Sequence, residues 1–115
     1  GSAIKRALGD LAGIRRFGWI LMPMDDDPYR PIPQALQKKI LSLGELLAKE
    51  IESGRRVMTT CAMGANRSGI ISGATLLALG YPGGEAVRII RERRKLGGGD
   101  KALFNPIFRA FVAAR

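Results

Sequence analysis

Apolar residues recur along the chain at helical spacing in some stretches and in short continuous runs in others. Leu36, Ile40, Leu43, Leu47 and Ile51 step by three or four residues with Lys and Glu on the other face, which predicts an amphipathic helix stopped by Ser53-Gly54. Ile4, Ala7, Leu8 and Leu11 predict a shorter helix ending near Gly13. The β-prone run from Phe17 to Met24 predicts a strand. After it, Asp25 to Pro33 holds three Asp and three Pro, which continue neither element, so an exposed loop is expected there.

The second half of the chain is patterned differently. Arg55 to Thr60 is short and centred on Val57 and Met58, and reads as a buried strand running into a loop from Cys61 to Ser68. The segment from about Gly69 to Leu79 is apolar nearly all round and predicts a core helix. After Gly80-Tyr81-Pro82-Gly83, the stretch from Gly84 to Lys95 sets Ala86, Val87, Ile89 and Ile90 against four arginines, and Asn105-Pro106 opens a last helix carrying Ile107, Phe108, Phe111 and Val112. Strands alternating with helices predict an α/β fold, a small mostly parallel central sheet flanked by helices, with its site at the strand C-termini. At 115 residues, residues 1–115 fit a single domain.

Composition narrows the chemistry. With 46% hydrophobic and 25% charged residues the chain can bury an ordinary core, and its longest apolar stretch is too short for the roughly 20 residues of a membrane span, so a soluble domain is expected. Nineteen Lys and Arg against ten Asp and Glu leave a net charge of +9, which favours anionic partners: phosphoesters, nucleic acids or acidic surfaces. One Cys and no His exclude an intramolecular disulfide, leave almost no basis for a structural zinc site and remove imidazole from any acid–base scheme. A single thiol and no secretory leader point to the cytoplasm, and Gly1-Ser2 reads as an expression scar. The arginines of 88–94 are expected on the wet face of their helix, Trp19 and Tyr81 as packing residues, and Tyr29 and Arg30 at the border of a cleft.

One loop concentrates reactive groups. Cys61-Ala62-Met63-Gly64-Ala65-Asn66-Arg67-Ser68-Gly69 puts a thiol and a guanidinium at the two ends of a short connection that leads into a helix. A loop bent tightly enough to point successive N–H groups inward is an anion nest, and the positive end of the following helix adds to it. Gly64 permits backbone angles that a side chain would obstruct. Arg67 offers planar donors to two phosphoryl oxygens. The same field favours the nucleophilic thiolate of Cys61, and Ser68 is placed to hydrogen-bond its sulfur.

Cys61-x5-Arg67-Ser68 between a strand and an apolar helix resembles the signature of cysteine-dependent protein tyrosine phosphatases, in particular the compact dual-specificity members. The likeness extends to Met22-Pro23-Met24-Asp25-Asp26-Asp27-Pro28, to the helix through Glu50, to the Glu85-Ala86 helix ending in Arg93-Arg94, and to Asn105-Pro106-Ile107-Phe108. It implies a phosphatase-like α/β domain that hydrolyses phosphomonoesters without a cofactor or metal. Cys61 would be the nucleophile, with residues 62–67 holding the phosphate and Ser68 assisting the thiolate. By resemblance to a Pro-x-acid-Asp pattern the general acid would be Asp26, with Asp25 and Asp27 as alternatives. Thr60 stands where most members carry His, and the family usually has one or more strands before the point where this sequence starts, so a truncated or unusually compact member is expected.

The expected substrate is a phosphorylated protein, phosphotyrosine foremost, or another anionic phosphoester. RNA 5′-triphosphatase or phosphoinositide phosphatase activity is an alternative, because Gly64-Ala65-Asn66-Arg67 resembles the loop of cysteine-type RNA triphosphatases and the net charge suits polyanions. A phosphate-binding module of weak turnover is the alternative from another class, marked by Thr60. Nothing in the residues specifies an oligomeric state.

Overall fold

Residues 22–61, 65–94 and 101–115 are described by a computed structural model. Four helices account for their regular structure: α1 Gln34–Glu52, α2 Arg67–Ala78, α3 Gly83–Arg93 and α4 Pro106–Ala113. The predicted helix at 4–13 and most of the predicted strand at 17–24 lie outside the described residues.

The helices begin and end where local chemistry dictates. At the end of α1, Gly54 takes φ +90, and the N–H groups of Gly54 and Arg55 donate to the carbonyls of Ile51 and Glu50. That pair of bonds closes the last turn in a left-handed cap, which favours glycine. The end of α2 repeats it, with Gly80 and Tyr81 donating to Leu77 and Leu76. At α4, Asn105 accepts from the N–H groups of Ile107 and Phe108, and Pro106 occupies the first turn, where no N–H is needed.

Among the described residues the domain is all-helical, which corrects the expected α/β fold with a central sheet. The decisive segment is 55–60, read from sequence as a buried strand. It forms no ladder with any described residue, and Met58, expected at its buried centre, is 68% exposed. Positions 57 to 61 do alternate between half-buried and exposed, the period of an extended chain. Extension is a local property that composition reports. A strand also requires a partner; among the described residues this run is joined to α2 by a 2.7 Å hydrogen bond between the hydroxyls of Thr59 and Ser72.

α2 is the hub: it packs against each of the other three helices. Its Ile70, Ile71 and Ala74 join Ile40 of α1, Ala86, Val87 and Ile90 of α3, and Phe108, Phe111 and Val112 of α4 in one buried cluster. The α1 stripe predicted from large residues is only partly the buried one. Ile40 is fully buried, but the positions one and two turns on are Gly44 and Ala48, while Leu36, Leu43 and Leu47 flank the cluster half-buried and Ile51 is exposed. Small residues four and eight positions on from Ile40 let α2 come close, and a Cβ added at Gly44 would lie 2.5 Å from the backbone carbon of Ala74.

The arginines of α3 divide. Arg88 is on the wet face, paired with Glu85 and Glu92. Its guanidinium holds the Glu85 carboxyl below the ordinary value, chiefly by hydrogen bond and with charge adding to it against the opposing effect of desolvation, and is itself raised in turn. Arg91 instead turns inward, donating from Nη1 to the carbonyls of Ala102 and Leu103 at 3.1 and 3.0 Å, which corrects its assignment to the solvated face. Leu103 is the one described non-glycine residue at positive φ, +58, and it is fully buried. That left-handed turn is unfavourable by about 1–3 kcal/mol for a branched side chain. It is held by Arg91, by the 3.4 Å bond from Leu103 N–H to the Ala65 carbonyl, and by packing of the leucine on Gly69. Tyr81, expected in packing, is 43% exposed.

The close approach of α1 and α2 is testable with two glycines. Gly44→Ala forces its Cβ into the Ala74 backbone, so overpacking of about 1–3 kcal/mol outweighs the gain of about 1 kcal/mol in helix propensity. Gly84→Ala, at an exposed position with open space around it, keeps the propensity gain. Urea unfolding should therefore move the midpoint down for the first and up for the second.

Candidate functional site

The residues expected to act together are carried by three separated parts of the chain: the acidic loop, the turn into α2 and the start of α4. Cys61 lies at the end of the extended run, half-buried. Its sulfur accepts from the backbone N–H of Ser68 at 3.4 Å and lies 3.5 Å from the Ser68 hydroxyl. The N-terminus of α2 thus presents a backbone donor and a hydroxyl to the one thiol of the chain. Of the expected phosphate-holding residues, Ala62, Met63 and Gly64 fall outside the described residues. Ala65 and Asn66 are buried, and Arg67 is half-buried as the first residue of α2.

Arg67 borders a cleft of about 540 Å³ that it shares with Asp25, Asp27 and Arg30. Ile32, Leu36, Ile40 and Phe108 supply apolar lining to the same cleft. Arg30, expected at such a border, is there, while Tyr29 is 90% exposed.

The structure separates the three acids that composition leaves equivalent. Asp27 is taken up by its own turn, accepting from the Tyr29 N–H at 2.8 Å and approaching Arg30 at 3.4 Å. Asp25 faces the cleft. Asp26 is bound at both oxygens: Asn66 Nδ2 donates to one at 2.9 Å and Asn105 Nδ2 to the other at 2.7 Å. The two asparagines are joined in turn, because the backbone N–H of Asn105 donates to Asn66 Oδ1 at 2.9 Å. Asp26, Asn66 and Asn105 therefore form a closed hydrogen-bonded ring.

Asn66 stands at the N-cap of α2 yet makes no cap bond with its side chain, which is committed to the ring. Asn105, expected from sequence only as the cap of the last helix, also donates to Asp26 and so joins the candidate site. The signal was present: capping uses only the side-chain oxygen, so Asp, Ser or Thr would serve equally, and an asparagine there carries an amide donor that needs an acceptor elsewhere. Among the described residues no group of His, Cys, Asp or Glu is arranged to hold a metal ion.

No protein-family model matches the chain, and no solved structure matches it. Among curated proteins, a stretch of 30 residues is 62% identical to the imidazoleglycerol-phosphate dehydratase of Chloroherpeton thalassium. That stretch is 26% of this chain and 16% of the dehydratase, so the chain spans about a sixth of the length of the curated relative it matches. Among the described residues, no helix is long and apolar enough to cross a membrane.

The ring makes a stability prediction. Asn66→Leu leaves the buried N–H of Asn105 without its acceptor, a loss of about 1–3 kcal/mol in unfolding free energy. Asn66→Asp keeps an acceptor for that N–H and should unfold at higher denaturant than the leucine variant, measured by circular dichroism in urea.

Proposed function

We propose that the chain is a cysteine-dependent phosphomonoester hydrolase of the protein tyrosine or dual-specificity phosphatase type, acting through a cysteinyl-phosphate. The observation that carries the reading is the seating of Cys61 on the N-terminus of α2, with the Ser68 N–H and hydroxyl at its sulfur, one residue from the Arg67 guanidinium. A thiolate at a helix N-terminus has the charge stabilisation a nucleophile needs, and a guanidinium in the same loop offers donors to the oxygens of the phosphoryl group whose phosphorus the thiolate attacks.

The chemistry runs in two displacements. The Cys61 sulfur forms a bond to phosphorus as the bond from phosphorus to the ester oxygen breaks, and Asp26 gives its proton to the departing oxygen. Arg67 donates to two equatorial oxygens of the transferring group, whose charge it balances. In the second step water attacks the phosphorus, Asp26 takes the water's proton, and sulfur leaves as a thiolate that the Ser68 hydroxyl and N–H receive. Inorganic phosphate departs and the starting state is restored. Of the three acids, Asp26 is favoured because Asn66, the neighbour of Arg67, holds it to the loop, whereas Asp27 is committed to its turn.

An aryl phosphate is the substrate class that the phosphatase resemblance favours; the cleft beside Arg67 offers apolar lining near the guanidinium but is bordered by neither Cys61 nor Asp26. Phosphotyrosine in a protein fits that description, and a cytoplasmic setting is part of the same proposal.

Hydrolysis of para-nitrophenyl phosphate in the presence of a chelator tests the reading. Cys61→Ser should reduce turnover to background while vanadate still binds. Arg67→Lys keeps the charge but loses the planar fork, and should lower kcat/KM by about 10²–10³-fold. Wild-type protein that binds vanadate without turnover would make the domain a phosphate-binding module, and equal activity in wild type and Cys61→Ser would remove the thiol from the mechanism.

A further inference from the structure

A general acid acts only within about 3 Å of the atom it protonates, and a displacement of 1 Å is enough to lower a rate about 10²-fold. Asp26 sits on a segment ill suited to such accuracy: residues 22–33 form neither helix nor strand. What holds its carboxylate comes from elsewhere in the chain.

Both oxygens are gripped by amides that are themselves immobile. Asn66 and Asn105 are 2% and 1% exposed. The oxygen of Asn105 is fixed by the two N–H groups at the start of α4, so the direction of its Nδ2 is set by a helix terminus. The oxygen of Asn66 is fixed by the Asn105 backbone N–H, and Asn66 directly precedes Arg67. The carboxylate of Asp26 is thereby registered to the residue that would hold the phosphoryl oxygens.

We infer that Asn66 and Asn105 are positioning residues that set the place of the Asp26 carboxyl relative to the cysteine–arginine loop; the inference rests on the phosphatase reading above. In the first step the proton passes from Asp26 to the leaving oxygen, and the carboxylate left behind keeps two amide donors. In the second it is still in place to take the proton from water. The ring links the last helix to the acid through Asn105, the residue that caps α4.

The test separates positioning from mere support. Asn105→Asp retains an oxygen to cap α4 but has no N–H for Asp26 and sets a like charge against it. Asn66→Asp likewise retains the acceptor for the Asn105 N–H and loses the donor to Asp26. Both are compared with wild type, Asp26→Ala and Cys61→Ser on phenyl phosphate, whose leaving group needs a proton, and on para-nitrophenyl phosphate, whose leaving group needs it far less. Circular dichroism establishes that each variant is folded.

The expected result for Asn105→Asp is a fall of about 10–100-fold in kcat for phenyl phosphate, with KM and the kcat for para-nitrophenyl phosphate changed by less than about threefold; Asn66→Asp, within the phosphate-holding loop, should slow both substrates and phenyl phosphate about 10-fold more. Asp26→Ala should show the same selectivity more strongly. Equal losses on the two substrates, or phenyl phosphate turnover at the wild-type level, would overturn the inference. If Cys61→Ser is inactive while Asp26→Ala shows no leaving-group selectivity, the phosphatase reading stands and this inference falls. If Cys61→Ser hydrolyses as well as wild type, both fall together.

Discussion

Three polar residues from distant parts of the sequence, Asp26, Asn66 and Asn105, satisfy one another in a ring that one backbone N–H closes, and the arrangement of the site follows from it. The ring closes over 40 residues from Asp26 to Asn66 and 39 from Asn66 to Asn105. Its two asparagines are buried, and a buried amide left unpaired is costly, so each member constrains the other two. Through Asn105 the ring includes the cap of α4, and through Asn66 the entry to α2. The acidic loop, with no regular structure of its own, is held where these two helix starts meet.

The apolar side of the fold reinforces that meeting point. Gly69 in the first turn of α2 leaves room for Leu103, whose strained backbone carries the chain past the loop and into Asn105. Arg91 on α3 satisfies the carbonyls of that turn. The groups that hold Asn105 in place are thus a glycine for clearance, an arginine for hydrogen bonding and a buried leucine for packing. At the other face of α2, Gly44 and Ala48 let α1 lie close enough for Ile40 to be fully enclosed.

How much of this was legible follows from which features are local. The four described helices, their glycine stops and the Asn105-Pro106 start depend on spacing and capping within a few residues, and all can be read from the chain. The lack of a sheet among the described residues could not be. Positions 57 to 61 alternate as a strand does, but alternation records an extended backbone and carries no information on whether a partner lies alongside. The buried line of α1 was misjudged for a related reason, because periodicity weighs large apolar residues, while the closest helix contacts are made where side chains are small. Arg91 was misplaced because its apolar stem and charged head match a solvated face and an inward carbonyl clamp equally well.

The acids show the limit most sharply. Asp25, Asp26 and Asp27 are chemically identical and adjacent, so nothing within the loop ranks them; only the resemblance of the Pro-x-acid-Asp pattern singled out Asp26. Extended backbone sends successive side chains to different sides, so Asp26 meets the two asparagines while Asp25 and Asp27 border the cleft, Asp27 also closing its own turn. Their difference is therefore a property of residues 66 and 105, tens of positions away. In the chain itself, the trace of that distant partnership is the choice of asparagine at two helix starts, where an oxygen alone would have been enough.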